Sequence, residues 1–249
     1  MKLKVIYDYI DSFAPYSTQW SRDNSGLQTG SFDDDISRIV ISLDLTLGAV
    51  AFAREKGAQL IINHHPVLFN KTGFVERGTP LYEAVRNSID VLASHTNLDF
   101  AEGGVNDTLC KMLSLGNVKT FSDGECDCLR LGELDNFMTD TEFASYVSGK
   151  LSTHCVYTPT DRKIKKVMVC SGAGGEYVSN AYDFGADAFV TGEARHHELL
   201  EGKRLGICLV SAGHYETEDP IVHVLKKNLE EKFRRLEIFE YHEKPAEYI

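Results

Sequence analysis

Two histidines stand side by side at His64 and His65, and twice more a histidine precedes an acid by four residues, His95 with Asp99 and His214 with Glu218. Imidazole and carboxylate donors without cysteine suit borderline-to-hard divalent ions such as Zn, Mn, Fe(II) or Co. One catalytic ion needs fewer donors than this, so the surplus predicts two ions about 3.5–4 Å apart, bridged by a carboxylate as in hydrolytic two-metal sites. A pair of such ions lowers the pKa of bound water and polarises the bond it attacks, which is the chemistry of a metal-dependent hydrolase. A lone histidine after a buried strand is more often a hydrogen-bonded loop residue. Adjacent histidines followed by Pro66, with a twice-occurring His-x-x-x-acid element, favour metal instead.

The neighbouring polar residues invite narrower roles. His95 is either a donor or a group that orients a ligand or substrate. Glu193 is a candidate proton acceptor or orienting carboxylate, and an exposed turn is its plainer reading. His95 and Glu193 are therefore the two candidate catalytic residues. Asp44 could hydrogen-bond a metal ligand or cap a helix starting near Thr46. His196 and His197 lie just beyond Glu193 and are lesser candidates to face the cleft, and His154, His223 and His242 read as structural. Asp23 to Gly30 contains glycine but lacks the strand-to-helix setting of a phosphate loop, leaving a substrate-side loop as its functional reading. Cys126-Asp127-Cys128 has no second cysteine pair nearby, so the six cysteines read as reduced thiols.

The elements that must carry these groups come in two similar copies. Ile39 to Leu43 and Val167 to Ser171 are short apolar runs. Each is followed by apolar residues at helical spacing, then by Gly57-Ala58 or Gly185-Ala186, a further run at Leu60–Ile62 or Ala188–Val190, and a polar tripeptide, Asn63-His64-His65 or Thr191-Gly192-Glu193. The glycine lies 18 residues after the first strand residue in both copies. Continuous apolar strands around a helix closed by glycine form a βαβ unit with buried parallel strands. Val91–Ser94 before His95 and Leu209–Ala212 before His214 extend each copy by a strand. The helix before that last strand, near 82–87 and 198–203, reads as shorter in the second half.

Thr139-Asp140-Thr141-Glu142 has capping-box spacing and opens a connecting helix through Phe143 and Val147. Pro220 starts a last amphipathic helix through Phe233, leading to a short strand around Ile238. The expectation is an α/β protein of two interlinked lobes, 1–125 and 126–249, with mainly parallel sheets and the carboxyl-terminal segment a candidate to pack back on the first. Ligands of parallel α/β sheets collect beyond the carboxyl ends of the strands, so the polar groups are expected in a cleft between the lobes.

With 249 residues, 43% of them hydrophobic, the chain can build a sizeable core, and a net charge of −11 lacks the basic footprint that phosphate-backbone binding needs. Lys163, Lys165 and Lys166 form a local basic patch, read as a solvated loop. Asp8 and Asp11 interrupt any apolar leader and no segment approaches a membrane span, which reads as cytoplasmic.

The motifs Asn24-Ser25-Gly26-Leu27-Gln28, Asn63-His64-His65-Pro66, Ser94-His95-Thr96-Asn97-Leu98-Asp99, Thr191-Gly192-Glu193 and Gly213-His214-Tyr215-Glu216-Thr217-Glu218 together resemble the GTP cyclohydrolase I type 2 homologues, the NGG-one-interacting factor three-like proteins. The resemblance implies two interlinked α/β lobes related by a pseudo-twofold and a ring-shaped homohexamer in the compact form. It also implies a dinuclear centre ligated by His64, His65, Asp99, His214 and Glu218, with Glu218 bridging. The resulting expectation is a hydrolase of a nucleotide-like small molecule, purine nucleotide being the first to try. A non-catalytic metal-binding regulatory or interaction protein is the alternative, and a ring associated with nucleic acid the third.

Overall fold

The computed structural model describes residues 1–70, 73–122, 124 and 127–247. Its main elements in chain order are α1 (Leu3–Phe13), β1 (Gly26–Thr29), β2 (Arg38–Ser42), α2 (Leu47–Lys56), β3 (Leu60–Asn63), α3 (Pro80–Arg86), β4 (Asp90–Ala93), α4 (Thr96–Phe100), α5 (Val105–Met112), β5 (Gly116–Phe121) and β6 (Leu129–Met138). They continue with α6 (Asp140–Leu151), β7 (Val156–Tyr157), β8 (Ile164–Cys170), α7 (Val178–Asp183), β9 (Ala188–Thr191), α8 (His196–Leu205), β10 (Cys208–Ser211), α9 (His214–Glu218), α10 (Pro220–Lys232) and β11 (Glu237–Tyr241).

The chain forms two compact units, one of residues 1–102 with 221–244 and one of residues 103–220 with 245–249. The first unit carries a five-stranded sheet in the order β1-β4-β3-β2-β11. Strands β4, β3, β2 and β11 run parallel, and β1 pairs antiparallel with β4. All of β3 and β4 is buried, which is why Leu60–Ile62 and Val91–Ala93 within them read as unbroken apolar runs. Helix α2 starts where the Thr46 side chain accepts a hydrogen bond from Ala49 N and ends at Gly57 with φ 64°. That left-handed cap strains any residue with a Cβ, which explains the glycine before the next strand. The carboxyl-terminal β11 aligns with β2 from Glu237 opposite Arg38 to Tyr241 opposite Ser42.

The second unit carries a six-stranded sheet in the order β5-β6-β8-β9-β10-β7. Its centre, β8-β9-β10, is the expected parallel βαβ core. Outside that core β5, β6 and β7 all pair antiparallel, so this sheet is mixed. Phe143 and Val147 of α6 are fully buried among Val167, Val169, Val190 and Val210. The capping box is formed as its spacing predicts, with Thr139 accepting from Glu142 N and Glu142 accepting from Thr139 N.

Two expectations fail. Lys165 and Lys166, read from sequence as part of a solvated loop, lie in strand β8, with Lys166 opposite Glu133 of β6. Helix α8 has 10 residues against 7 in α3 and is the longer of the two. The Arg195–Glu198 pair closes its first turn and Gly206 caps its end, extending it beyond the apolar positions that mark it in sequence.

Candidate functional site

In the first unit the histidines gather at the carboxyl ends of β3 and β4. Asn63 ends β3, so His64 and His65 leave the strand together, and their amides both donate to Leu43 O. The ring centroids of His64, His65 and His95 lie 4.9–5.4 Å apart. One ring nitrogen from each lies within 4.8 Å of the other two, a set that could hold a metal ion. Asp99, on α4, places Oδ1 3.5 Å from His64 Nε2. Two donors each about 2.0–2.2 Å from a shared ion are spaced much like this.

Every imidazole in the predicted set has its Nδ1 against an oxygen that can only accept. His64 Nδ1 lies 2.9 Å from Ser94 O and His65 Nδ1 2.8 Å from Asp44 Oδ1. His95 Nδ1 lies 3.0 Å from Asp23 Oδ1 and, in the second unit, His214 Nδ1 2.7 Å from Glu193 Oε1. A neutral imidazole donating from Nδ1 has its lone pair on Nε2, the nitrogen offered to a metal or a proton. Asp44 is thus an orienting group for His65, while Thr46 provides the helix cap. Glu193, on an exposed turn, orients His214.

Asp23, which the sequence places only in a substrate-side loop, is the buried partner that anchors His95. Its side chain is 1% exposed. Besides His95 it accepts from Thr96 N, the Thr96 hydroxyl, Ser25 Oγ and Asn24 N. Burial alone would raise its pKa, but the hydrogen bond and charge of His95 and the bond from Thr96 hold it well below the usual carboxylate range. Ser25 Oγ in turn accepts from His95 N at 3.0 Å. The available signal was its place next to Asn24-Ser25-Gly26, a run with no element of its own until β1.

In the second unit, His214 and Glu218 occupy one face of α9, with Nε2 2.9 Å from Glu218 Oε2. Three turns are knitted beneath them. Gly172 N donates to Thr217 Oγ1, Glu193 N to Gly172 O and Gly213 N to Gly192 O. A Cβ on Gly172 would stand 2.1 Å from Glu218 Oε1, so the Glu218 carboxylate uses space that only glycine leaves there.

The two His-x-x-x-acid elements are not equivalent in backbone register. Ser94 N bonds Asn63 O and Ala212 N bonds Thr191 O, so His95 corresponds to Gly213 and His214 falls one residue later. His95 therefore precedes α4 as its cap residue, whereas His214 is the first residue of α9. This single-residue offset pairs His214 with Glu218 across a helical turn, while Asp99 pairs with His64 from another strand.

The remaining histidines lie elsewhere. His196, His197 and His154 are exposed. His223 and His242 flank Glu240 on the surface, at 3.0 and 3.3 Å. Cys126 lies outside the described residues, and Cys128 is buried.

Comparison with known proteins agrees with this arrangement of elements and motifs. The family model for Duf34/NIF3 (NGG1p interacting factor 3) matches residues 1–246. This chain belongs to the Duf34/NIF3 family. Among curated family members, a Clostridium perfringens protein named GTP cyclohydrolase 1 type 2 homolog is 30% identical over 242 residues, covering 93% of this chain and 92% of its own. A Methanocaldococcus jannaschii protein of the same name is 30% identical, covering 88% and 90%. Of solved structures, Staphylococcus aureus SA1388 superposes with a TM-score of 0.89 at 26% identity, covering 100% of this chain and 99% of its own. A Bacillus cereus protein related to NIF3 reaches 0.92 at 21% identity, covering 100% and 99%, a likeness of fold. Reduced HcgD from M. jannaschii reaches 0.82 at 28% identity, covering 96% and 97%. Among the described residues of this family member, no helix is long and apolar enough to cross a membrane.

Proposed function

We propose that this NIF3-family chain is a metal-dependent hydrolase of a nucleotide-like small molecule. His64, His65 and Asp99 of the first unit and His214 and Glu218 of the second are the donors to two divalent ions. The observation that carries the reading is the shared orientation of the imidazoles, each with Nδ1 committed to a carbonyl or carboxylate and its lone pair on Nε2. Structural histidines need no common tautomer; metal-ligating histidines characteristically donate their second nitrogen in this way. The donor chemistry, nitrogen and carboxylate oxygen without thiolate, suits Zn, Mn, Fe(II) or Co. When bound, such ions lower the pKa of water and polarise the bond under attack.

The chain's own contribution is orientation and proton transfer. Asp44 and Glu193 fix the rings of His65 and His214. His95, held by Asp23 through Nδ1, lies beside the His64–His65 pair and is the group to take up or deliver a proton there. The names of the curated relatives make GTP and other purine nucleotides the first substrates to try. The family resemblance also carries the expectation of a homohexameric ring, which light scattering behind gel filtration would measure.

The test is turnover of GTP, other nucleotides and simple phosphoesters by metal-loaded protein, wild type beside His64→Ala and Glu218→Ala. Turnover that both substitutions abolish together with metal supports the hydrolase. Loaded wild-type protein that turns over none of them removes GTP as substrate and leaves a regulatory or partner-binding metal protein.

A further inference from the structure

The motif Asn24 to Gln28 does more than hold His95. Its two amide side chains grip a single residue of the segment that follows His65. Asn24 Nδ2 donates to Leu68 O at 2.9 Å, and Gln28 Oε1 accepts from Leu68 N at 3.1 Å. The Gln28 amide is itself fixed, because its Nε2 donates to Asn24 O at 2.7 Å and Gly26 O at 3.2 Å. Two side chains thus stand in for the neighbouring strand that would otherwise satisfy the backbone of Leu68. A loop residue clamped at both its N–H and its C=O has little freedom, and the peptide that leads into the next residue is held with it.

That next residue is Phe69, 49% exposed. A phenylalanine left half in water on a braced backbone gains little from burial. Its ring centroid lies 5.9 Å from that of His95, with the two planes at 80°. A fixed aromatic surface therefore stands beside the histidine that Asp23 orients, within the same unit as His64 and His65. Aromatic faces in water that border reactive groups are suited to stacking a flat ring, which needs no hydrogen-bond match and little reorganisation.

We propose that Phe69 is a specificity-determining residue, a stacking platform for the planar heteroaromatic ring of the substrate, and that Asn24 and Gln28 are its positioning residues. This rests on the nucleotide-like substrate class proposed above and assigns which side chain reads the ring. His95 then lies at the edge of the stacked ring, and the donors His64 and His65 lie beyond it.

The test uses the full-length zinc-loaded protein and two probes, guanosine monophosphate and ribose 5-phosphate, with binding measured by calorimetry. Wild type binds the nucleotide more tightly than ribose 5-phosphate. Phe69→Leu, which keeps apolar bulk but removes the ring, weakens the nucleotide by roughly fivefold to a hundredfold, leaves ribose 5-phosphate unchanged, and Phe69→Tyr restores binding. Gln28→Met weakens the nucleotide in the wild-type background but adds nothing in the Phe69→Leu background, an outcome a general loss of structure would not give. Equal binding of the two probes by wild type, or nucleotide binding unmoved by Phe69→Leu, overturns the proposal. Zinc content is read separately, so a wild type that holds no metal counts against the hydrolase, while the ring comparison still decides the platform.

Discussion

Gly172 offers a substitution whose effects on metal and on fold come apart. A Cβ there would stand 2.1 Å from Glu218 Oε1, 3.0 Å from its Cδ and 3.2 Å from His214 Nε2. Ordinary contact begins at 3.4 Å, so in Gly172→Ala the carboxylate oxygen must retreat by about 1.3 Å. The obstructed atom is the end of a side chain, and moving it costs the fold little. The backbone adds a penalty of its own, because φ is +60° and a left-handed alanine costs about 1–2 kcal/mol. For a chain of this size that lowers Tm by about 2–8 °C. Displacing a donor by more than an ångström is felt separately in binding, of the order of the ten- to hundredfold loss seen when orienting groups of metal sites are removed. Gly192→Ala is the control, because its Cβ would meet Gly172 O and His214 Cα, both at 2.7 Å. Those are backbone atoms, so the fold itself must give and Tm falls further. The assay is zinc titration against a competing chelator, alongside thermal unfolding of the metal-free protein. Gly172→Ala that binds zinc as wild type does would refute the placement of Glu218 as a donor.

Other outcomes follow from the same structure. Burial, and then the charge of Asp34, push the Asp90 carboxyl up to about 6, so the folded chain holds a proton that the unfolded chain releases near pH 4. Stability is therefore lost as pH rises from about 4 through about 6, and Asp90→Asn recovers about 1–2 kcal/mol at pH 8 after allowance for solvent screening, with no gain near pH 4. Urea unfolding of both proteins at the two pH values checks this, and a gain at pH 4 equal to that at pH 8 would contradict it. Asp23→Ala leaves the ring of His95 and the amide and hydroxyl of Thr96 without a buried acceptor, costing about 3 kcal/mol and about 6–12 °C in Tm; a loss under about 2 °C would contradict its role as the anchor of this turn. Burial pushes the Cys110 and Cys208 thiols up to about 12. Both should resist alkylation in the native protein and react on unfolding, as peptide mass spectrometry would show; rapid native labelling would contradict it.

Much of this fold could be read before its structure. Continuous apolar runs, the spacing to Gly57 and Gly185 and the Thr139 capping box are local signals, and each element they mark forms. The antiparallel strands β5, β6 and β7 were harder to see, because the exposed residues of β5 carry no alternation and pairing partners lie far apart in sequence. The turn of the chain into its second unit falls beside Gly103-Gly104, with no composition shift to mark it. At the site, residue types pointed to the candidate donors, and spacing suggested that His95 and His214 were equivalent. A one-residue offset in sheet register is invisible in spacing alone, and it gives the two histidines different neighbours. That Asp23 anchors His95 is not legible in the loop that carries it, because the pairing reaches across 72 residues and is one that folding creates.

The most direct test of the central claim is the metal content of the purified chain after equilibration with zinc and removal of unbound ions, measured by plasma mass spectrometry beside His64→Ala and Glu218→Ala. About two ions per wild-type chain are expected, with loss of metal in each variant while circular dichroism shows the fold retained. Wild-type protein that keeps no zinc, or variants that keep as much as wild type, would contradict it.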